Sequence, residues 1–273
     1  MTAIQNSGIS ALVSDKLNLP ADTPALLSSF QSAQPFPHIV FDDFFDIRLL
    51  DQVARETPEV DGKNWVCESD DRIQQFNLRS PVTLAEGGTE LVSFLHSAAF
   101  LYFLSEITGI WNLLPDPYLQ GGGYHLVPRG GFFHIHADRN VAYETGLNRR
   151  LALIIYLNKD WKHEYGGQLE LWNADATRCE KVIEPIFNRC VIFEVADTYF
   201  HGLPATVDCP KGRSRNSFNV YYHTVAPSGK AETTPHSSIY APSFYRPSRF
   251  SARGLAKDLT PPIVLRTLKK LLL

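Results

Sequence analysis

The sequence predicts a mainly β domain with flanking helices, built on a jelly-roll or small barrel. From residue 118 onward, short runs of β-type residues follow one another at nearly regular spacing, and turns rather than helices separate them. A chain of 273 residues with 44% hydrophobic and 20% charged residues can bury such a core without disulfides or structural metals. The predicted strands cover residues 118–127, 132–138, 150–157, 168–173, 181–184, 190–195, 199–207 and 216–224.

The residues before this β region are predicted to support it. Residues 1–35 are rich in Ala, Ser, Gln and Pro and indicate a loosely helical lead-in, which a short strand over 39–41 follows. Asp46 is a candidate N-cap for a helix over 47–57, because apolar residues recur there on one helical face. The same periodicity predicts a second helix over 89–108.

The whole chain, 1–273, is predicted to form a single domain with three parts. They are an N-terminal support region over 1–117, a barrel core over 118–224 and a C-terminal segment over 225–273 that wraps the core. The last part ends in a predicted amphipathic helix over 263–273. That helix is too short to span a bilayer, so its length and charge favour packing on the domain over membrane attachment.

Charge and cysteine content limit the classes of partner. A formal net charge of −3 gives no bulk attraction to nucleic acid or to a membrane surface, so neither is expected as a partner. The four cysteines form no CxxC pair, and we expect all four to be small buried thiols. The first residues carry no signal-peptide pattern, which predicts a cytoplasmic protein. The oligomeric state has no signal in the sequence.

The most informative segment is the predicted strand over 132–138. On a strand, alternate residues share a face, so His134, His136 and Asp138 are predicted on one side. An imidazole and a carboxylate two residues apart can bind one metal ion, and His201 is a candidate third ligand. Two histidines and one carboxylate are the ligand set of non-haem Fe(II) oxygenases. Such a pair on a strand is also compatible with an ordinary hydrogen-bonded contact.

A later strand carries a polar stripe that begins with an arginine. Its polar face is predicted to hold Arg215, Ser217, Asn219, Tyr221 and His223, with apolar residues on the other face. In the interior of a barrel, a guanidinium group can hold a carboxylate through two hydrogen bonds. The alternative is an ordinary strand with one face in solvent.

Over about 118–224 the chain resembles the prolyl-hydroxylase-type 2-oxoglutarate and Fe(II)-dependent dioxygenases. This family implies a double-stranded β-helix, a cupin-like jelly-roll, with the iron at its open mouth. The segments that carry the resemblance are His136-Ala137-Asp138, Tyr156-Leu157-Asn158-Lys159-Asp160-Trp161, Gly166-Gly167-Gln168-Leu169, Ile183-Glu184-Pro185-Ile186-Phe187-Asn188-Arg189, His201 and Arg215 with its strand. An entry strand preceded by Pro35-Phe36-Pro37-His38 is also similar to bacterial members.

The resemblance implies a role for each matching residue. His136, Asp138 and His201 would be the catalytic metal ligands. The 2-oxoglutarate site would consist of four residues: Arg215, Tyr156, Tyr124 and Ser217. Arg213 is an alternative to Arg215. We expect His134 to be a residue beside the ligands or in the substrate pocket rather than a ligand.

The implied activity is hydroxylation of an unactivated C–H bond, coupled to decarboxylation of 2-oxoglutarate to succinate and CO2. Fe(II), 2-oxoglutarate and O2 are the implied cofactors, with ascorbate as an optional reductant. The expected substrate is a small molecule or a peptide, with a prolyl residue or another amino acid favoured. Two alternatives stay open: an oxygenase acting on another small metabolite, and a cupin-like barrel that binds a small molecule without turnover.

Two segments have no assigned role. The loop over 139–150 is as compatible with a solvated charged loop as with contacts to a substrate. The tail contains aromatic residues that could pack on the barrel or close over its mouth. They are Tyr240, Phe244, Tyr245 and Phe250.

Overall fold

The structure is a computed structural model that describes residues 16–18, 22–60, 63–78, 81–225 and 234–242. Within these ranges, thirteen strands form one curled sheet in which neighbouring strands are antiparallel. The strands are β1 His38–Phe41, β2 Trp65–Ser69, β3 Ile73–Leu78, β4 Leu114–Pro115, β5 Gly123–Pro128, β6 Phe132–Ala137, β7 Asn148–Tyr156, β8 Leu169–Trp172, β9 Cys179–Ile183, β10 Cys190–Glu194, β11 His201–Leu203, β12 Ser214–Thr224 and β13 Ile239–Tyr240.

The order of the strands shows how the sheet curls into a jelly-roll. Along the sheet the order is β1-β10-β7-β12-β5-β3-β6-β11-β8-β9, while β2, β4 and β13 pair at the side with β3, β12 and β6. Strand β3 pairs with β5 and also with β6, so it joins the two halves of the barrel. The predicted fold class is therefore confirmed.

In the described part of the chain, four helices precede β5: α1 Thr23–Ser32, α2 Ile47–Arg55, α3 Glu86–Leu95 and α4 Ala98–Thr108. Two short 3-10 turns cover Pro81–Thr83 and His163–Tyr165. Helix α2 confirms the prediction over 47–57, and the Asp46 carboxylate accepts hydrogen bonds from the backbone N–H groups at its start.

The prediction of one helix over 89–108 is wrong, because Ser97 divides it. The Ser97 hydroxyl accepts a hydrogen bond of 3.2 Å from the backbone N–H of Phe100 and so caps a new helix. Helix α4 then ends at Gly109, whose φ of 77° is the left-handed conformation that glycine adopts readily. Among the described residues no single helix is long and apolar enough to cross a membrane, although α3 and α4, bent by 53°, pass together by length and composition.

The helices cover one face of the larger half of the sheet. On β7 and β12 the residues alternate, so that Leu153, Ile155, Phe218 and Val220 pack under the helices in the main core. Ile154 and Tyr156 of β7 pack instead on the inner side of the barrel. This alternation leaves the inward face of β12 free for polar side chains, as the sequence predicts.

Two strand predictions require correction. The strand expected over 118–127 starts only at Gly123, because the Asp116 carboxylate accepts hydrogen bonds from the backbone N–H groups of Tyr118 and Gln120 and holds a turn there. The hairpin of β2 and β3 was not predicted at all. Its two strands carry apolar residues on both sides of the turn at Asp70 and Asp71, but without the regular alternation that predicts a strand.

The cysteine prediction holds only for two of the four residues. Cys190 and Cys209 are buried, whereas Cys67 is exposed on β2 and Cys179 is half-buried at the start of β9. Both of the latter lie on strands at the side or end of the sheet, where one face meets solvent. The predicted terminal helix over 263–273 and the tail residues Phe244, Tyr245 and Phe250 lie outside the described residues.

We expect Asn188→Ala to destabilise the fold by roughly 2–4 kcal/mol, because it leaves two buried backbone groups without partners. The Asn188 side chain accepts a hydrogen bond from Phe45 N and donates one to Phe45 O, both at 2.9 Å. Denaturant unfolding measures the loss. Asn112→Ala is a matched control, since Asn112 has a similar φ, 60° against 61°, but an exposed side chain. Equal losses of unfolding free energy in the two variants would show that backbone conformation alone causes the effect.

Candidate metal centre and cosubstrate pocket

Three predicted ligands meet where β6 and β11 pair. His136 of β6 is the register partner of His201 of β11, and Asp138 follows β6 directly. The His136 Nε2 atom lies 3.5 Å from Asp138 Oδ1, and the His201 Nε2 atom lies 3.8 Å from Asp138 Oδ2. One ligand atom from each residue falls within 4.8 Å of the others. All three side chains are buried.

Backbone carbonyl groups fix which nitrogen of each histidine faces the centre. The His136 Nδ1 atom is 2.8 Å from His134 O, and the His201 Nδ1 atom is 3.1 Å from Tyr199 O. A carbonyl oxygen only accepts, so each Nδ1 carries the proton and each neutral Nε2 presents a lone pair. Asp138 Oδ2 has no hydrogen-bond partner among the described residues. Three possible ligand atoms within 4.8 Å of one another are an arrangement that a cation stabilises.

The ionisation states suit a metal ligand set. Burial lowers the pKa of His201 to about 4, so its imidazole is neutral at pH 7. Burial also acts to raise the pKa of Asp138, but the contact with His136 and the charge of Arg149 hold it well below its usual range. Two neutral nitrogen donors and one charged oxygen donor fit a ferrous ion, and no thiolate takes part.

A bulge in β6 corrects the predicted strand face of His134. The register pairs His201 with His136 but Leu203 with Phe133, so β6 contains one more residue than β11 over this stretch. Phe133 therefore stacks on His136, with 3.8 Å between ring centres, while His134 lies against Phe132. The side chain of His134 does not line the cavity at the metal centre; its carbonyl group orients His136 instead.

Behind the metal ligands, Arg215 is buried in the barrel with its charge unbalanced. Its Nε donates to Gly167 O at 2.7 Å, and its Nη2 donates to the Tyr156 hydroxyl at 3.3 Å. No carboxylate of the described residues forms an ion pair with it. Burial lowers the pKa of Arg215, yet a guanidinium group stays charged at pH 7. A buried cation of this kind needs an anionic partner, and a ligand carboxylate meets that need.

The other predicted pocket residues divide into two groups. Ser217 lies on the inward face of β12 opposite Tyr156, and its buried Oγ atom has no hydrogen-bond partner within the ranges that the structure describes. Tyr124 is wrongly predicted, because its side chain points to the helices, where its hydroxyl donates to Val53 O at 2.9 Å. Arg213 lies outside the barrel, over the ring of Trp161, so Arg215 is the inward arginine.

A cavity of about 390 Å³ lies in front of the metal ligands and contacts Asp138. The unpredicted hairpin of β2 and β3 forms one wall, with Gln75 and Asn77 as inward polar residues. Tyr221 and Arg149 lie on another wall. Sequence alternation indicates Tyr221, since it shares the face of Arg215. It does not indicate Arg149, because a second bulge displaces that residue.

That second bulge lies in β7. The register pairs Tyr222 with Leu151 but His223 with Arg149, which leaves Arg150 unmatched. Without the bulge, Arg149 would lie on the same face as Leu151, under the helices. Arg149 is instead buried beside the cavity, with its Cζ 3.6 Å from the centre of the Tyr221 ring.

We expect Gly202→Ala to weaken metal binding by about tenfold or more, in the range seen when groups that orient metal ligands are disturbed. A Cβ on Gly202 would lie 2.8 Å from Phe133 O and 2.9 Å from His134 O, so β11 would have to move away from β6. Titration with Mn(II) followed by electron paramagnetic resonance measures the affinity. In Gly212→Ala the new Cβ meets nothing within 4 Å, and only the backbone φ of 80° is strained. Unchanged Mn(II) affinity in Gly202→Ala would refute the need for this close approach.

Comparison with known proteins agrees with this geometry. Residues 122–223 match the model of the 2OG-Fe(II) oxygenase superfamily. A prolyl-4-hydroxylase from Pseudomonas putida is similar in structure, with 18% identity over 74% of this chain and 98% of that one and a TM-score of 0.52. A prolyl hydroxylase from Trichoplax adhaerens, bound to a peptide fragment of the hypoxia inducible factor oxygen degradation domain, has 16% identity over 78% and 92% and a TM-score of 0.55.

A third similar structure was solved with a small molecule bound. HygX from Streptomyces hygroscopicus, with nickel, 2-oxoglutarate and hygromycin B, has 8% identity over 83% of this chain and all of that one (100%), with a TM-score of 0.51. At these identities the structural likeness shows the jelly-roll fold, and the family match adds the chemistry. Residues 122–223 therefore match a superfamily of oxidoreductases that use Fe(II), 2-oxoglutarate and O2, and within them His136, Asp138 and His201 form a candidate site for the iron.

Proposed function

We propose that this enzyme hydroxylates an unactivated C–H bond of an amino acid, free or within a peptide, and couples the reaction to decarboxylation of 2-oxoglutarate. One observation carries the proposal. Arg215 is buried without an anionic partner among the described residues, and it lies behind the cluster of His136, Asp138 and His201. A molecule with a carboxylate at one end and metal-binding oxygen atoms at the other matches this pair of sites. 2-Oxoglutarate is such a molecule.

The side chains of the chain divide the work between binding and positioning. His136, Asp138 and His201 would hold Fe(II), which when bound supplies the activation of O2. Arg215 would bind the far carboxylate of 2-oxoglutarate, and the Tyr156 hydroxyl, which accepts from Arg215, is free to donate its proton to the same carboxylate. The burial of all five groups excludes water and strengthens these charge interactions.

The choice of an amino acid as substrate follows from the prolyl hydroxylases among the similar structures. The similar structure with hygromycin B supports the second candidate, a small metabolite of another class. A screen for succinate release across free amino acids, prolyl peptides and other metabolites tests both candidates. Release with members of only one class assigns the substrate, and no release with any of them would contradict the proposed coupling.

We predict that His136→Ala abolishes succinate formation, because the metal loses a ligand that no neighbour replaces. His134→Ala is the matched control: it removes an imidazole from the same strand but keeps the carbonyl group that orients His136. The control should retain most of the activity. Succinate release in the presence of Fe(II) and 2-oxoglutarate is the measurement. Turnover by His136→Ala would refute the ligand assignment, whatever the substrate.

We predict that Arg215→Ala raises the 2-oxoglutarate requirement by about 100-fold, since removing one partner of a buried charge pair costs roughly 2–5 kcal/mol. Fe(II) binding should persist. Anaerobic titration of the Fe(II) protein with 2-oxoglutarate, followed by the weak visible band of the chelate, gives the affinity directly. Arg213→Ala is the control, because Arg213 lies outside the barrel. If Arg213→Ala, and not Arg215→Ala, lost affinity for 2-oxoglutarate, Arg213 would be the residue that binds its far carboxylate.

A further inference from the structure

A second buried arginine, Arg149, lies on the substrate side of the metal centre. It is 4% exposed and lines the cavity that contacts Asp138. Its Nη2 donates to Gln120 O at 2.8 Å, and its guanidinium plane lies over the ring of Tyr221. Its Nε has no hydrogen-bond partner among the described residues. The side chain is therefore fixed in position but not fully satisfied.

The charge of Arg149 is not balanced by any ion pair with the described residues. The charge of Arg149 acts on Asp138, but in the proposed complex the formal charges of Fe(II), Asp138, 2-oxoglutarate and Arg215 cancel one another. Two other acidic residues line the same cavity: Asp70 pairs with Arg72, and Glu68 accepts hydrogen bonds from Gln75 and Asn77. Arg149 is then a buried positive charge without an ion pair at the substrate cavity, and such a charge is costly unless an anion joins it.

We propose that Arg149 binds a carboxylate of the substrate, so that the substrate is a small molecule with a free carboxylate rather than an internal residue of a peptide. This inference rests on the proposed function and narrows its substrate class. An internal prolyl residue offers only carbonyl oxygens, which can accept hydrogen bonds but leave the charge of Arg149 unbalanced. A free amino acid provides a carboxylate, which a guanidinium group binds through two parallel hydrogen bonds.

The position of Arg149 also explains how it would orient the substrate. The bulge in β7 fixes its backbone, and the ring of Tyr221 supports its guanidinium face. Tyr221 and Asp138 line the same cavity, so an anion held by Arg149 lies beside the metal ligands. A rigid contact at one end of a small substrate restricts which C–H bond can approach the iron site.

The test compares free carboxylic acids with matched neutral compounds. The Fe(II) and 2-oxoglutarate-loaded protein, kept anaerobic, is titrated with the free L-amino acids and other small carboxylic acids, with the corresponding amides, and with prolyl peptides blocked at both ends. Some of these peptides contain an acidic side chain. The shift of the thermal unfolding midpoint reports binding, and succinate release in air reports turnover. We expect at least one free acid to bind and react, and its amide to do neither.

Variants of two neighbouring arginines provide the matched comparison. Arg149→Gln should weaken binding of the free acid by about 30-fold or more. Arg149→Lys keeps the charge, so its affinity for the acid should fall less. Arg150→Gln should bind the acid as the wild type does, because Arg150 points away and pairs with Glu194 at 3.2 Å. The 2-oxoglutarate band should be unchanged in all three variants.

Several results would overturn this proposal. They are binding of the amide or of a blocked peptide as strongly as the acid, no binding by any acid of the panel, or equal losses in Arg149→Gln and Arg150→Gln. Binding of only those peptides with an acidic side chain would also reject a small free acid. In each of these cases the visible band of the wild-type chelate shows that the cosubstrate site is intact. Absence of that band would contradict the proposed function itself.

Discussion

The close approach of β6 and β11 is the constraint on which the site depends. Gly202 allows the backbone of β11 to lie against the carbonyl groups of Phe133 and His134, where any side chain would collide. The same approach makes His136 and His201 register partners. The Nδ1 atoms of His136 and His201 already donate hydrogen bonds to backbone carbonyl groups. The backbone therefore orients both candidate ligands before any metal binds. The ligand geometry is therefore a property of the strand pairing.

Much of this arrangement could be predicted from the sequence, because alternation on a regular strand is strict. The polar face of β12 is a clear case, since Ser217 and Tyr221 share the inward side with Arg215, while Phe218 and Val220 lie under the helices. The three candidate metal ligands, His136, Asp138 and His201, were also predicted from residue type and spacing, and the structure brings them together. Each of these predictions needs only the residue types and their spacing along the chain.

Two features that the sequence did not indicate lie where a β-bulge interrupts the periodicity. The bulge in β6 exchanges the positions of His134 and Phe133. The bulge in β7 turns Arg149, which belongs to the loop whose role stayed open, toward the cavity. Tyr124 was assigned by resemblance, although its neighbour His125 is the residue of β5 that faces the cavity. Bulges depend on pairing with a partner strand, so a single strand's sequence gives no signal for them.

Two buried arginines lie near the candidate metal ligands inside the barrel. Arg215 contacts Tyr156 and lines one cavity with those ligands, whereas Arg149 lines the cavity of about 390 Å³ with Tyr221 and Asp138. Each guanidinium group contacts a tyrosine ring, with Cζ 4.9 Å and 3.6 Å from the ring centres. In the proposed complex each of the two buried cations gains an anionic partner, so the free energy of binding would include relief of the cost of burying an unpaired charge. The proposed selectivity for anions rests on this arrangement.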